Sequence, residues 1–150
     1  MTAQPTPPGG LIHGPRHLFA VRAYYEDTDL SGIVYHANFL RWFERARSDL
    51  LRLLGIDQRA EIEAGGGAYA VADLNIRYAR PARLDDTVVI ETRCVELGAA
   101  SVRIVQRATR EGELVAEQNV RVGFIDPQGR PRRQPAKWRA AFAGFVEGTE

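Results

Sequence analysis

The stretch EDTDLSGIVYHANFLRWFERARSDLLRLLG, residues 26–55, decides the fold. In its second half, apolar side chains recur at intervals of three and four residues, and charged residues fill most positions between them. The apolar set consists of Phe39, Trp42, Phe43, Ala46, Leu50, Leu53 and Leu54. This spacing predicts an amphipathic helix over residues 37–54, and Gly55 suits the left-handed position that follows a helix. At 1.5 Å per residue the helix would be about 27 Å long, enough to cross a small sheet.

The segments on either side of this helix have the character of β-strands. Residues 18–25 are rich in aromatic and β-branched side chains and predict a first strand. The stretch EIEAGGGA, residues 61–68, predicts a loop because it holds three consecutive glycines, and residues 136–146 predict a short final helix. A period of two predicts four further strands, at residues 68–81, 86–97, 100–111 and 113–126.

Short connections between the four later strands predict an antiparallel meander. A helix with one apolar stripe must bury that stripe, and the available surface is one face of the sheet. We therefore expect an α+β fold in which an antiparallel five-stranded sheet wraps around one long central helix.

The composition indicates an ordinary globular protein. The chain has 150 residues, 45% of them hydrophobic and 26% charged, which is the usual size and composition of one domain. A net charge of +1 argues against a nucleic-acid-binding surface. Residues 1–16 are rich in proline and glycine and predict a flexible N-terminal tail, so residues 17–150 form the expected single domain.

Three features bear on location and on metal sites. Cys94 is the only cysteine, which excludes an intrachain disulfide, and its alternating apolar neighbours predict a small core residue. His13 and His17 have no patterned acidic or thiol partners nearby, so we expect no metal site there. The sequence has neither the apolar region of a secretory signal nor a run of about 20 apolar residues, so we expect a cytoplasmic protein without integral membrane association.

The polar residues before the helix could support chemistry. The first N–H groups of a helix have no partners within it and favour negative charge, so the N–H of His36 could polarise a carbonyl oxygen. Asp29 lies seven residues upstream, with Gly32 between them to permit a tight turn. A carboxylate opposite an oxyanion-binding helix end suits acyl transfer. The same residue types are also common in turns and helix caps, and spacing alone leaves both interpretations open.

A family resemblance supports the chemical interpretation. The segment YYEDTDLSGIVYHANFLRWFERARSDLLR (24–52), with PARLDD (81–86) and FIDPQGRPRRQP (124–135), resembles the hotdog-fold acyl-CoA thioesterases of the 4-hydroxybenzoyl-CoA thioesterase family. Within it, the chain is most similar to the thioesterases associated with the Tol-Pal system. The resemblance implies hydrolysis of acyl-CoA to a free acid and CoA, with no cofactor because CoA is part of the substrate. It also implies a homodimer or homotetramer joined at sheet edges, and an acyl carrier protein is an alternative acyl donor.

The resemblance also assigns roles to residues of the opening stretch. It implies that Asp29 is the catalytic carboxylate, either as the nucleophile that attacks the thioester carbonyl or as the general base for water. Asp27 would support it. The backbone N–H of His36 would bind the thioester oxygen, and Gly32 and Tyr35 would shape the substrate pocket.

Some assignments differ among hotdog enzymes. Other hotdog thioesterases carry the carboxylate on the long helix, where Glu44 and Asp49 are the candidates, although the helical pattern predicts that both face solvent or a partner. The turn at residues 98–100 is Gly-Ala-Ala and lacks the basic cluster that the 4-hydroxybenzoyl-CoA branch uses for the nucleotide of CoA. The alternative phosphate partners are Arg77, Arg80 and Arg83.

Two other functions compete with hydrolysis. A hotdog dehydratase or hydratase would use a histidine at the helix start as the base, with an acid across a dimer. A non-catalytic module that binds acyl-CoA or acyl carrier protein would have lost its catalytic residues, and the presence of both Asp29 and His36 weighs against it.

Overall fold

A computed structural model describes residues 2–146, which form one antiparallel sheet and three helices. None of these helices has the length and apolar character needed to cross a bilayer. The elements in chain order are β1 (Leu11–His13), β2 (Arg16–Arg22), α1 (Asn38–Leu53), α2 (Gln58–Glu63), β3 (Ala68–Tyr78), β4 (Thr87–Leu97), β5 (Ser101–Arg110), β6 (Glu113–Ile125) and α3 (Ala136–Ala143), with a 3₁₀ turn at Tyr25–Asp27.

The sheet order is β1-β2-β4-β5-β6-β3, and all neighbouring strands are antiparallel. The predicted four-strand meander is therefore correct for β4, β5 and β6 and wrong for β3, which pairs with β6 at the far edge. The reason is the connection from β3 to β4, residues 79–86, which crosses the fold instead of making a hairpin. The N–H of Val34 donates to the carbonyl of Ala82 in this connection at 2.7 Å, which ties the crossing to the loop before α1.

The N-terminal prediction needs a correction. Leu11–His13, within the predicted tail of residues 1–16, form the sixth strand, with Leu11 opposite Leu18 in β2. Gly14, at a φ of +60°, makes the tight turn between β1 and β2. The N–H of Gly10 donates to the Asp49 carboxylate at 2.9 Å and holds the preceding segment against α1. The composition of residues 1–16 did not predict the pairing of β1 with β2 or the hydrogen bond from Gly10 to Asp49, because Asp49 and all of β2 except Arg16 lie outside this segment.

A second unpredicted element lies after α1. The sequence predicted a loop at residues 61–68, but the short helix α2 extends into its first three residues. The helix is capped by the Asp57 carboxylate, which accepts the N–H of Ala60 at 3.0 Å. The helices predicted at residues 37–54 and 136–146 are confirmed within a few residues as α1 and α3.

The apolar face of α1 packs on the concave face of the sheet, as predicted. Phe43, Ala46 and Leu50 are fully buried, whereas Leu53 is 46% exposed at the end of the helix. Cys94 is confirmed as a core residue, and burial raises the pKa of its thiol to about 12, so it is no nucleophile at neutral pH. The α+β fold with a sheet around one long helix is thus confirmed, with six strands instead of five.

A row of polar side chains divides this core. His17, Thr92, Gln106 and Gln118 stand opposite one another across β2, β4, β5 and β6, and each is fully buried. We refer to His17, Thr92, Gln106 and Gln118 as the polar row. The apolar core forms two clusters, one around Phe43 and the other around Leu50.

Histidine 17 occupies the end of the polar row nearest the N-terminus. Its Nε2 lies 2.7 Å from Oδ2 of Asp49 on α1. The sequence around His17 indicates no acidic partner, because Asp49 is 32 residues away along the chain. The contact exists only once α1 crosses the sheet.

Candidate active site

The loop between β2 and α1 folds into a small hairpin that carries Asp29. Thr28 bridges Val34 in antiparallel fashion, and the N–H of Asp29 donates to the carbonyl of Ile33 at 3.0 Å. Gly32 turns the chain with a φ of +80°, a conformation that side chains disfavour, and its N–H donates to the Asp29 carbonyl at 3.0 Å. The tight turn expected from Gly32 is therefore present.

Contacts with the β3–β4 connection fix the position of this hairpin. Ile33 bridges Arg83, next to the Val34–Ala82 hydrogen bond. The N–H of Tyr35 donates back to the Asp27 carbonyl at 2.9 Å. The hairpin therefore enters α1 in a defined orientation.

The environment of Asp29 favours its ionised form. Its Oδ1 accepts the backbone N–H of Ser31 at 2.8 Å and also the Ser31 hydroxyl. These hydrogen bonds, with a smaller contribution from His36, hold the pKa of Asp29 below the usual 3.8. Within residues 2–146, Oδ2 accepts no hydrogen bond, so one oxygen of an exposed carboxylate is available for chemistry.

The entrance to α1 carries unpaired donors. Among the described residues, the backbone N–H groups of His36 and Ala37 donate to no acceptor, while the carbonyl of His36 accepts the Tyr78 hydroxyl at 2.8 Å. Partial burial raises the pKa of Tyr78, so its hydroxyl remains protonated and holds this backbone in place. The His36 ring packs against Tyr35, with ring centroids 4.6 Å apart.

Asp29 and His36 line the same open cleft, of about 450 Å³. Phe39 and Tyr78 also line it, and Pro81 contributes from the β3–β4 connection. Gly32 and Tyr35 lie beside this cleft and are not among its lining residues: Gly32 forms the turn, and Tyr35 packs on the His36 ring. The cleft therefore combines a carboxylate, free N–H donors and an apolar wall.

The Asp27 carboxylate stabilises the hairpin through two hydrogen bonds. Its Oδ1 accepts from Nδ2 of Asn38 at 2.6 Å, and its Oδ2 accepts the N–H of Tyr24 at 2.8 Å. Sequence reasoning missed the contributions of Asn38 and Tyr78. The Asn at the first residue of α1 was a detectable signal, whereas Tyr78 comes from β3, 42 residues away from His36 along the chain.

The two alternative carboxylates on α1 lie apart from this cleft. Asp49, predicted to face solvent or a partner, instead contacts His17 and Gly10, and its side chain is only 15% exposed. Glu44 is exposed as predicted and lines a different cavity, between α1 and the sheet. Neither side chain shares the cleft that Asp29 lines.

The three candidate phosphate ligands are also separated. Arg80 lines the cleft, but its Nε lies 3.0 Å from Glu113. Arg77 is 3.9 Å from Glu117, and Arg83 is exposed on the β3–β4 connection. Of these three arginines, only Arg80 is among the residues that line the cleft.

Comparison with known proteins identifies close relatives. The family model of the thioesterase-like superfamily matches residues 25–146. The acyl-CoA thioesterase YbgC of Haemophilus influenzae is 39% identical over 125 residues, covering 83% of this chain and 92% of that protein.

Solved structures agree with the sequence match. A probable thioesterase from Bartonella henselae is 34% identical with a TM-score of 0.75, covering 80% of this chain and 99% of that one. A 1,4-dihydroxy-2-naphthoyl-CoA thioesterase from Synechocystis has a TM-score of 0.80 at 20% identity, covering 85% of this chain and 96% of that one. The latter likeness shows a shared fold.

Proposed function

The chain belongs to the thioesterase-like superfamily and is a thioester hydrolase, and we propose that it cleaves acyl-CoA thioesters to a free carboxylic acid and CoA. The hotdog fold implied by the resemblance is confirmed by the sheet that surrounds α1 and by the structural relatives. One observation supports the proposed site: Asp29, with its exposed carboxylate, lines the same cleft as His36, whose N–H has no acceptor within residues 2–146.

The proposed chemistry follows from these two groups. The thioester carbonyl oxygen accepts the N–H groups of His36 and Ala37, which stabilise the negative charge that develops on it. One such donor typically lowers the barrier by about 2.7–4 kcal/mol. The dipole of α1 adds to this effect because the site lies at its N-terminus.

Asp29 supplies the attack on the carbonyl carbon through its free Oδ2. In one route Oδ2 bonds to the carbon and CoA leaves as the thiolate, which gives a mixed anhydride that water then hydrolyses. In the other route Oδ2 takes a proton from water as the water oxygen attacks. Label in Asp29 after a single turnover in ¹⁸O-water, detected by mass analysis of the protein, would identify the anhydride route, because water that attacks the Asp29 carboxyl carbon of the anhydride leaves its oxygen there and the general-base route never does.

The decisive variant is Asp29→Asn, which removes the base and nucleophile with little change in shape. We expect kcat to fall at least about 100-fold while the fold is retained, measured by thiol release from a panel of short, long and aromatic acyl-CoAs. Glu26→Gln is the matched control, since it neutralises an exposed acid in the same loop. Near-normal turnover of Asp29→Asn would refute the assignment and direct attention to Glu44.

Substrate and product analysis tests the wider proposal. Release of free thiol with formation of the free acid is the expected outcome for acyl-CoA, and acyl carrier protein thioesters serve as the second donor in the same assay. Dehydration of a 3-hydroxyacyl thioester without thiol release would instead identify a dehydratase. Binding of acyl-CoA without turnover would identify a binding module.

We further propose that two copies pair through β3, either as a homodimer or as the dimer unit of a homotetramer. This strand is the long free edge of the described sheet, and an open edge invites pairing with another strand. On the face toward α1, buried residues of β6 lie opposite Val71, Leu74 and Tyr78, yet these three side chains remain 40–47% exposed. A second copy of the chain would cover this apolar surface.

A further inference from the structure

Tyr78 lies at the end of β3, and its hydroxyl reaches the entrance of α1. The hydroxyl donates to the carbonyl of His36 at 2.8 Å, a common length for a hydrogen bond between two oxygens. The same carbonyl accepts the N–H of Phe39 at 3.3 Å, which is longer than usual for a backbone hydrogen bond. The bond from Tyr78 is therefore the main constraint on the direction of this carbonyl.

The direction of the His36 carbonyl determines the direction of a neighbouring donor. The carbonyl of His36 and the N–H of Ala37 belong to one planar peptide unit, in which they point in opposite directions. A bond that fixes the carbonyl therefore also fixes the N–H. This N–H and that of His36, both without an acceptor within residues 2–146, are the donors assigned above to the thioester oxygen.

The Tyr78 hydroxyl also affects the strength of this donor. A group that donates to the oxygen of a peptide draws electron density toward that oxygen, and the N–H of the same peptide becomes more positive. Such cooperative strengthening amounts to about 10–30% per hydrogen bond. The Ala37 N–H should therefore stabilise an oxyanion better while Tyr78 is bound to His36, since an oxyanion carries more charge than a neutral carbonyl oxygen.

The Tyr78 side chain is held in the position that this bond requires. Its ring meets the rings of His36 and Phe39 edge to face, with centroids 6.1 Å and 5.8 Å apart. Directly after Tyr78, the N–H of Ala79 donates to the carbonyl of Val115 at 2.8 Å and anchors the end of β3 on β6. A supporting group on a strand holds a site in place more accurately than one on a loop.

We propose that Tyr78 is a positioning residue of the oxyanion site: its hydroxyl orients the His36–Ala37 peptide and strengthens the N–H that binds the thioester oxygen. Tyr78 acts through this peptide and needs no bond to the substrate. Its role rests on the proposed thioester hydrolysis and makes β3 one of the elements that determine the rate. The rate should therefore follow the donor strength of the Tyr78 hydroxyl.

Tyr78→Phe removes the hydroxyl and keeps the ring contacts. The rate of a single turnover of acyl-CoA should fall about three- to tenfold, which is the effect of one hydrogen bond. The KM should change by less than about twofold, because the N–H donors bind most strongly when the oxygen carries the charge of the transition state.

Tyr69→Phe is the matched control for a purely structural effect. Tyr69 lies near the other end of β3, and its hydroxyl donates to Gln134 in a more buried environment. Its loss should lower the free energy of unfolding in urea at least as much as Tyr78→Phe does and should leave the single-turnover rate unchanged. A wild-type rate in Tyr78→Phe, or an equal loss of rate in both variants, would overturn the proposal.

Replacement of Tyr78 by 3-fluorotyrosine tests the opposite sign. Fluorine makes the hydroxyl more acidic and therefore a stronger donor to the His36 carbonyl. Below neutral pH, where this hydroxyl keeps its proton, the single turnover should be at least about 1.5-fold faster than in the wild type. An unchanged or slower turnover would overturn the proposal.

A spectroscopic measurement separates this role from the proposed catalysis by Asp29. The probe is a ketone analogue of acyl-CoA, in which a methylene group between the carbonyl carbon and the sulfur prevents hydrolysis. In Asp29→Asn, adding Tyr78→Phe should move the infrared stretch of the ¹³C-labelled ketone to higher frequency, because its oxygen loses hydrogen-bond strength. An unmoved stretch would overturn the proposal.

The combined results show which of the two proposals fails. If the ketone analogue does not bind at all, both the proposed function and the role of Tyr78 are contradicted. Normal turnover of Asp29→Asn, together with slow turnover of Tyr78→Phe, would support the role of Tyr78 and contradict only the assignment of Asp29.

Discussion

Asp29 and Asp49 belong to the same long sequence motif, but their surroundings in the structure give them different roles. Asp49 is enclosed by His17 and the N–H of Gly10, so both its charge and its position serve the fold. Asp29 is exposed, and one of its oxygens accepts no hydrogen bond from residues 2–146, while Ser31 stabilises its charged form. The family motif predicted a role for Asp29, and local geometry supplies the physical reason that such a role is possible.

The Ser31 hydrogen bonds lead to a prediction about pH. Because they lower the pKa of Asp29, the carboxylate stays ionised at pH values where an ordinary aspartate is already protonated. Ser31→Ala removes the hydroxyl bond and should raise this pKa. The acidic limb of kcat/KM, which follows loss of the free carboxylate, should therefore move to higher pH.

A neighbouring hydroxyl provides the control for this experiment. Thr28→Val removes a hydroxyl that donates to the Tyr25 carbonyl at 2.9 Å and does not contact Asp29. Its pH profile should match that of the wild type. A Ser31→Ala profile with the acidic limb unmoved or shifted to lower pH would show that Ser31 does not tune the catalytic group.

At the scale of single elements, α1 was the most predictable part of the molecule. Its apolar spacing predicted both its length and the buried face formed by Phe43, Ala46 and Leu50. The polar row beneath it was not predictable, because its members come from four strands and each looks like one polar residue in an otherwise apolar pattern. The spacing of apolar residues within one element predicts which of its faces is buried. Which residues of different strands contact one another depends on the strand register.

The contact between α1 and the polar row predicts a stability effect. Asp49→Ala leaves the fully buried imidazole of His17 without its carboxylate partner and frees the N–H of Gly10. A buried polar group that loses its partner costs about 1–3 kcal/mol. Urea unfolding should show a decrease of that size in the free energy of unfolding.

A double-mutant cycle with His17→Ala checks the cause. If the two side chains act as a pair, the double variant should lose less stability than the sum of the single losses. Glu44→Ala, at an exposed position on α1, should change the free energy of unfolding by no more than about 0.5 kcal/mol. Additive losses in the cycle would mean that His17 and Asp49 stabilise the fold independently.

At the scale of the whole molecule, strand positions were predictable and strand order was not. A period of two is a local property, so β4, β5 and β6 were found within a few residues and paired correctly through short turns. The position of β3 depends on residues 79–86, whose crossing is set by contacts with Ile33 and Val34 from a distant loop. The same contacts fix the hairpin of Asp29, so the unpredicted topology and the site geometry have a common origin.

The open β3 edge predicts which substitutions disrupt the oligomer. Val71 lies opposite buried Val122 on the face toward α1, yet 47% of it is exposed because no described element covers this edge. If a second copy covers it, Val71→Asp places two carboxylates in an apolar interface and should halve the mass of the oligomer, as measured by light scattering after size exclusion. Val89→Asp is the matched control, since Val89 is 36% exposed on β4, an inner strand of the sheet, and should retain the dimer. A wild-type monomer, or an oligomer that survives Val71→Asp, would contradict assembly through β3.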